Sequence, residues 1–397
     1  MSDRTYRPSR GRSQRAPFNR RPRGKKTFKK DYIDPSRFVR SAKVVEAVQY
    51  VPTHQFSDFP AHPLIIGNLQ KMGFIAPTPI QDQAIPLGLQ GGDIVGIANT
   101  GTGKTTAFAV PLLHRLLTEQ DSRALILAPT RELAQQIEKE CRAIGRKAGF
   151  YGALLIGGSS MGEQLRDLRQ DPKLVIGTPG RVKDHLERGT LQLSRFNIAV
   201  LDEVDRMLDM GFINDIRFIL DSVSDERQSF FFSATLDGKV GELMNGFLRN
   251  PQTISVKTGD TSDTIEQNVV RYQGNGDRLE KLHDLLNKTE VSKAIIFDET
   301  QKSVERLSQT LHDRGFAVDA IHGGKTQGQR QRALRRFTKG DVSILVATDV
   351  AARGIDVQDV THVINYSTPQ SYEDYVHRIG RAGRAGRIGY ALTFVQS

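Results

Sequence analysis

From about Gln49 onward, short apolar runs alternate with stretches of helical period. The first set comprises Asp93–Ala98 (DIVGIA), Ala124–Ala128 (ALILA), Leu174–Ile176 (LVI), Ile198–Leu201 (IAVL) and Ser229–Phe232 (SFFF). Each run is bounded by Gly, Pro or polar residues, too short for a helix and apolar on both faces. That pattern predicts parallel strands buried on both sides, with helices as the crossovers. Around Lys257–Asp263 (KTGDTSD) the pattern lapses, which predicts an interdomain linker. It then restarts with Val269–Tyr272, Lys293–Phe297, Ala317–Ile321, Ser343–Ala347, His362–Asn365 and Ala391–Val395. No short-period repeat is visible. The expectation is an α/β chain of two domains, 46–256 and 264–397, joined by a linker at 257–263.

Residues 1–45 differ. They are poor in large apolar residues and rich in Arg, Lys, Ser, Gly and Pro, so they bury too little to offset chain entropy and are expected to be disordered. Charge sharpens the contrast. Of the chain's 56 Lys and Arg, 12 fall in residues 1–30, with one acid of 45 (Asp3). The net +11 therefore belongs to the tail, and the body is neutral. Pro8, Pro17 and Pro22 argue against an amphipathic targeting helix there. The single cysteine, Cys141, excludes an intramolecular disulfide and fits a reducing compartment, as a buried or indifferent thiol. With no run of 18 apolar residues, no membrane span is expected; cytoplasm is the expected location, or nucleus or nucleolus in a eukaryotic host.

Chemistry enters at the first predicted strand. Asp93–Ile97 runs into Ala98-Asn99-Thr100-Gly101-Thr102-Gly103-Lys104-Thr105 and then a helix, matching a phosphate-binding loop except that Ala98 replaces its first Gly. Gly101 and Gly103 let backbone N–H groups turn toward phosphates, and the helix start adds its positive end. Lys104 would reach the β- and γ-phosphates, and Thr105 would offer a hydroxyl to Mg²⁺. The strand Ile198–Leu201 ends in Asp202-Glu203-Val204-Asp205. Asp202 would hold Mg²⁺, directly or through water, and Glu203 would orient the attacking water.

These residues, with Ser233-Ala234-Thr235, resemble the motifs of a DEAD-box RNA helicase. The resemblance continues in order. Gly73-Phe74 with Pro77-Thr78-Pro79-Ile80-Gln81, and Phe56 upstream, resemble the Q motif. Pro129-Thr130-Arg131-Glu132-Leu133-Ala134, Gly157-Gly158 and Thr178-Pro179-Gly180-Arg181 resemble RNA-contacting motifs. In the second domain Gln327 with Arg330 resembles the family's Q-x-x-R element, and the runs Ala347–Asp356 (ATDVAARGID) and His377–Arg384 (HRIGRAGR) resemble its last two motifs.

The resemblance implies two tandem RecA-like domains with ATP in the cleft and RNA across both. It places Phe56, Phe74 and Thr100 to Thr106 at the nucleotide, with Thr78 and Gln81 on the adenine edge and Asp356 on the ribose. Arg381 and Arg384 would enter from the second domain as arginine fingers, worth roughly 10³–10⁵ in rate. Ser233, Thr235, Asp205 and His377 would couple closure to RNA. Pro129, Thr130, Arg131, Gly158, Thr178, Arg181, Thr300, Gln327, Arg330 and Thr348 would meet RNA through phosphates and 2′-hydroxyls, which predicts weak sequence preference. Three departures stand out. Val204 replaces Ala in the name-giving tetrapeptide, which should leave the chemistry intact. Asp298-Glu299 precedes Thr300, where two acids would weaken a phosphate contact. The chain also stops 13 residues after Arg384, so the second domain is expected to leave an apolar face uncovered.

The expected function is an ATP-dependent RNA helicase acting locally, since a base-pair step costs about 1.4 kcal/mol on average in DNA. An ATP-gated RNA clamp and a DNA translocase of the same superfamily are the alternatives. Nothing predicts an oligomer, so a monomer is expected. Arg20–Lys26 (RRPRGKK) and Lys29-Lys30, with Phe18 and Phe28, would form a nonspecific RNA tether. Six neutralised phosphates would give a log–log salt slope near about −4. A solubility tail or a nuclear import signal is the alternative reading of that segment.

Overall fold

The computed structural model describes residues 33–42, 50–99, 101–236, 238–256, 264–352, 357, 359–383 and 388–397. Domain 1 holds seven strands: β1 (Ile94–Ala98), β2 (Ala124–Leu127), β3 (Gly152–Leu155), β4 (Leu174–Gly177), β5 (Ile198–Leu201), β6 (Gln228–Ser233) and β7 (Gln252–Val256). Its helices are α1 (Pro63–Lys71), α2 (Pro79–Leu89), α3 (Lys104–Thr118), α4 (Arg131–Ile144), α5 (Met161–Leu168), α6 (Pro179–Glu187), α7 (Val204–Asp209), α8 (Ile213–Leu220) and α9 (Gly238–Phe247). The strands form one sheet in the order β3-β4-β2-β5-β6-β1-β7, every pair parallel. β1, β2, β4, β5 and β6 are buried at every position, because helices cover both faces.

Two strands have no counterpart among the predicted runs, β3 and β7. Both lie at sheet edges, with exposed or half-exposed positions alternating with buried ones. An edge strand needs no unbroken apolar run, so the signal used for the inner strands is missing there.

Domain 2 repeats the plan with β8 (Ile265–Tyr272), β9 (Ala294–Phe297), β10 (Val318–Ile321), β11 (Ile344–Ala347), β12 (His362–Asn365) and β13 (Gly389–Gln396). Its helices are α10 (Gly274–Leu286), α11 (Gln301–Asp313), α12 (Gln327–Lys339), α13 (Asp349–Ala352) and α14 (Tyr372–Ile379). The order is β10-β11-β9-β12-β13-β8, again all parallel. Among the described residues no helix is long and apolar enough to cross a membrane. Cys141 is buried in the domain 1 core, which pushes its thiol pKa up, as expected of an inert thiol. The linker 257–263 and the basic segment 1–30 lie outside the described residues.

Residues 33–42 correct the expectation of disorder through residue 45. Pro35–Phe38 forms a 3₁₀ turn, capped by the Asp34 carboxylate accepting from the Ser36 N–H at 2.9 Å. Arg40 then bridges Gln267 of edge strand β8 with two backbone hydrogen bonds, of 3.0 and 2.8 Å. Low average hydrophobicity concealed two anchors, Ile33 and Phe38. Both are buried in the domain 2 core beside Ile265, Tyr375, Ile379 and Ala382.

Candidate functional site

Parallel strands deliver their motifs to one edge of the sheet, and here three adjacent strands do so. β1, β6 and β5 end in the phosphate-type loop, Ser233 and Asp202 respectively. In the loop Gly101 and Gly103 have φ of +82° and +88°, the left-handed region that glycine enters without strain. α3 begins at Lys104 as expected, and Lys104 Nζ donates to the Ala98 carbonyl at 3.0 Å. The ammonium is thus folded over the loop where phosphate oxygens would take over its hydrogen bonds. Thr100 lies outside the described residues.

Gln81 is not free to read a base edge. Its amide oxygen accepts from the Thr78 N–H at 2.9 Å, and its Nε2 donates to the Gly103 carbonyl at 3.0 Å. Thr78 Oγ1 donates to the Thr102 carbonyl at 2.8 Å. The pair therefore ties the start of α2 to the loop, so adenine recognition would have to displace these bonds. Phe56 is also reassigned. It is fully buried, edge-on to Phe59 and Phe74 at 5.7 and 5.5 Å, and packs beneath the site instead of facing a base. Phe74 stays half-buried and available. The Thr106 hydroxyl donates to Glu140 at 2.6 Å within the domain, which leaves its backbone N–H in the first turn of α3 as the group toward a nucleotide.

Asp202 and Glu203 are both buried, yet they titrate in opposite directions. Burial raises Asp202 to about 7, partly offset by Lys104. Burial also pushes Glu203 up, but Arg206, Lys104, Arg381 and His377 outweigh it and hold the carboxyl below its ordinary value. The Arg206 guanidinium lies 2.9 Å from Glu203 Oε2. Glu203 takes a left-handed backbone, φ +55°, of the kind that costs about 1–3 kcal/mol and gathers at functional sites. Val204 is buried in the core. No cluster of three His, Cys, Asp or Glu able to cage a metal occurs among the described residues. One buried carboxylate, with the Thr105 hydroxyl at the head of α3, suits an ion that shares its shell with phosphates and water.

Asp205 joins this edge to the next motif. Its Oδ2 accepts from the backbone N–H groups of Ala234 and Thr235 at 2.9 and 3.1 Å and from Thr235 Oγ1 at 3.4 Å. Its own N–H donates to Ser233 Oγ at 3.4 Å. Three of the four residues expected to couple closure, Asp205, Ser233 and Thr235, therefore share one network, and His377 lies on domain 2. From domain 2, Arg381 and His377 face Glu203 closely enough to lower its pKa. Arg378 holds α14, which carries His377 and precedes Arg381: it makes two bonds to Asp349, of 2.5 and 2.7 Å, and also donates to Asn365 and to the Ser367 carbonyl. Asp356 and Arg384 lie outside the described residues.

The residues expected at RNA divide. Arg131 lies over Gly157 and Gly158, where a Cβ on Gly158 would come within 2.3 Å of its guanidinium. Arg181 keeps a buried Nη1 without a partner. Thr130 and Thr300 spend their hydroxyls accepting from the Leu133 and Ser303 N–H groups at the starts of α4 and α11. Pro129 is buried beside Thr130, and Thr178 stands at the N-cap position of α6 without a side-chain capping bond. Thr348 is buried at the end of β11. Arg330 and Gln327 are corrected: both turn to domain 1 instead of a phosphate. Arg330 lies 2.7 Å from the buried Glu132 carboxylate, and Gln327 donates to Gln135 at 3.1 Å. Asp298 is buried beside Arg278, Arg306 and Tyr366; only Glu299 is exposed next to Thr300.

Sequence reasoning gave no role to Arg206, Glu132 or Asp82. Arg206 could have been found from its i+3 spacing to Glu203. The partner of Glu132 is remote in sequence. Asp82 binds Tyr50, Thr53 and His54, and local pattern does not signal those contacts.

Comparison with known proteins agrees with this layout. Residues 78–243 match the DEAD/DEAH box helicase family, and residues 277–386 match the helicase conserved C-terminal domain. An ATP-dependent RNA helicase CshA of Listeria monocytogenes is 44% identical over 344 residues, covering 86% of this chain and 66% of that protein. The DEAD-box ATP-dependent RNA helicase CshA of Bacillus subtilis is 43% identical over 86% of this chain and 70% of its own length. The chain thus spans about two thirds of the length of these relatives. Saccharomyces cerevisiae Dbp5 bound to RNA and ADP BeF3 superposes with a TM-score of 0.77 at 30% identity, covering 86% of this chain and 89% of that one. A DEAD box protein of Methanococcus jannaschii is more similar in sequence, at 37% identity over 87% of this chain and 94% of that one, but reaches only 0.51. Greater identity with poorer superposition points to a different relative placement of like domains. The arrangement here is the one that resembles the RNA- and nucleotide-bound neighbour.

Proposed function

Because the chain belongs to the DEAD-box RNA helicase family, we propose that it hydrolyses ATP when RNA closes its two domains and uses that cycle to separate short RNA duplexes. The observation that carries this reading is the setting of Glu203. Its carboxylate is ionised by groups from both domains, Lys104 and Arg206 on one side and Arg381 and His377 on the other. An ionised carboxylate can orient a water for in-line attack. Arg381 from domain 2 can meet charge developing on the leaving phosphate. Lys104 is positioned to exchange the Ala98 carbonyl for phosphate oxygens. Asp205 passes any movement of Ser233 and Thr235 back to the residues that hold the attacking water.

Mg²⁺, held by Thr105 and Asp202 together with phosphate oxygens, would supply the neutralising charge that burial denies to Asp202. On the RNA side Arg131 and Arg181 favour backbone contacts, which supports recognition of RNA with little base preference. The names of the curated relatives favour a helicase over an ATP-gated clamp. The test is steady-state phosphate release with and without single-stranded RNA, beside Glu203→Gln. RNA is expected to raise the rate severalfold and the variant to abolish it. A folded chain with no RNA-stimulated release would overturn the proposal.

A further inference from the structure

The segment Ile33–Ala42 takes no part in the site described above, yet it packs on the helix that carries His377. Phe38 is fully buried, with its ring 4.7 Å from that of Tyr375 on α14. The Arg37 guanidinium sits 3.9 Å over the Tyr372 ring. The buried Tyr375 hydroxyl donates to Gln267 Oε1 at 2.9 Å, and Gln267 is the residue whose backbone is bridged to Arg40. The Ala42 N–H donates to Glu266 at 2.7 Å. α14 is therefore held from one side by this segment and from another by Arg378.

The chain re-enters the described structure at Tyr50, now on domain 1. Tyr50 Oη, the Thr53 N–H and His54 Nδ1 converge on the Asp82 carboxylate at 2.5, 2.7 and 2.6 Å. Asp82 follows Gln81, whose amide holds the phosphate-type loop. One anchor of this stretch is thus on domain 2 and the other on domain 1. Seven residues separate Ala42 from Tyr50, eight steps with a reach of at most about 28 Å. The same number separates Val256 from Thr264 at the interdomain linker. Two covalent crossings of equal length confine opening far more than one, but only while Phe38 stays seated.

We infer that Ile33–Ala42 is a strap, with Phe38 and Arg37 as positioning residues that hold α14 for hydrolysis and keep the two domains within closing distance. This rests on the proposed ATPase reading only for its kinetic consequence. Seating the strap orders the helix that presents His377 and precedes Arg381. It leaves the phosphate loop untouched, so its loss alters turnover more than ATP affinity.

The experiment uses the full chain carrying Phe38→Ala, Arg37→Ala or Phe38→Leu. Trypsin cleavage after Arg37 and Arg40 reports release of the strap. Energy transfer between dyes at Gln120→Cys and Asp341→Cys, both exposed, reports closure in a Cys141→Ser background with RNA and a non-hydrolysable ATP analogue. Phe38→Ala is expected to admit trypsin, to lower the closed fraction and to cut RNA-stimulated kcat at least threefold with the KM for ATP within twofold. Phe38→Leu should retain most of each property. If Phe38→Ala fails to fold, Arg40→Pro removes the bridging N–H without hollowing the core and carries the same expectations. Release of the strap with an unchanged closed fraction and unchanged kcat would overturn the inference. Should the parent protein hydrolyse no ATP, the function proposal falls, while trypsin and energy transfer still decide the strap.

Discussion

Removing the charge of Glu132 should cripple closure although the residue touches no substrate. Its side chain is 5% exposed and that of Arg330, 2.7 Å away on the other domain, is 8% exposed. Burial raises the Glu132 pKa while Arg330 opposes the rise, so each charge is tolerated because the other is present. Breaking such a buried pair from one side costs about 3–5 kcal/mol. Here the orphaned charge can return to water by domain opening, so the cost falls on the closing equilibrium. The lower end, about 3 kcal/mol, corresponds to roughly 10²-fold less closed protein. Glu132→Leu and Arg330→Met should therefore each reduce RNA-stimulated kcat/KM by about that factor, whereas the double variant, with no unpaired charge, should recover to within about tenfold of the parent. A double-mutant cycle on kcat/KM reads the coupling directly. Additive losses, or a loss confined to Arg330→Met with weaker and more salt-sensitive RNA binding, would refute the reasoning and return Arg330 to a phosphate.

Two further outcomes follow from local geometry. Gly103→Ala would place a Cβ 2.3 Å from Gln81 Nε2 at φ +88°, breaking the bond between the loop and α2; ATP affinity by calorimetry should fall at least tenfold, with thermal stability little changed. His362, stacked on Tyr390 at 4.8 Å, is held neutral by burial, which lowers its pKa to about 4. The unfolded chain therefore binds more protons below about pH 6.5, and stability is lost as pH falls from there toward 4, by up to about 3 kcal/mol. His362→Phe should flatten the denaturation midpoint over that window relative to the parent, and an unchanged slope would count against the assignment.

What the sequence disclosed depended on whether a residue's partners were local. β1, β5 and β6 were legible because burial on both faces demands unbroken apolar runs. The edge strands β3 and β7 face solvent in part and leave no such trace. The phosphate loop, Asp202, Glu203 and the Asp205 network were legible because their chemistry fixes residue types at fixed spacing. Phe56, Thr106 and Gln81 show the limit of that reasoning. The residue types suit a nucleotide, but their side chains are spent on the core, on Glu140 and on Gly103 respectively. Glu132 and Arg330 carried no signal of each other across 198 positions, and residues 33–42 were hidden by averaging two apolar anchors with their polar neighbours.

The closing contacts answer a mechanical problem as well as a chemical one. A single linker leaves one domain free to rotate about the other, and an arginine displaced by about 1 Å forfeits much of its catalytic effect. Three attachments limit that freedom here: Arg330 with Gln327 against α4, Arg381 with His377 facing Glu203, and the proposed strap Ile33–Ala42 seated on α14. The first two are polar, as contacts made and broken in each cycle would need to be. The third is anchored by apolar burial and a strand bridge, which suits a contact that persists while the others exchange. Reversible charge pairs can therefore set the timing of the reaction, with the strap limiting the orientations they must search.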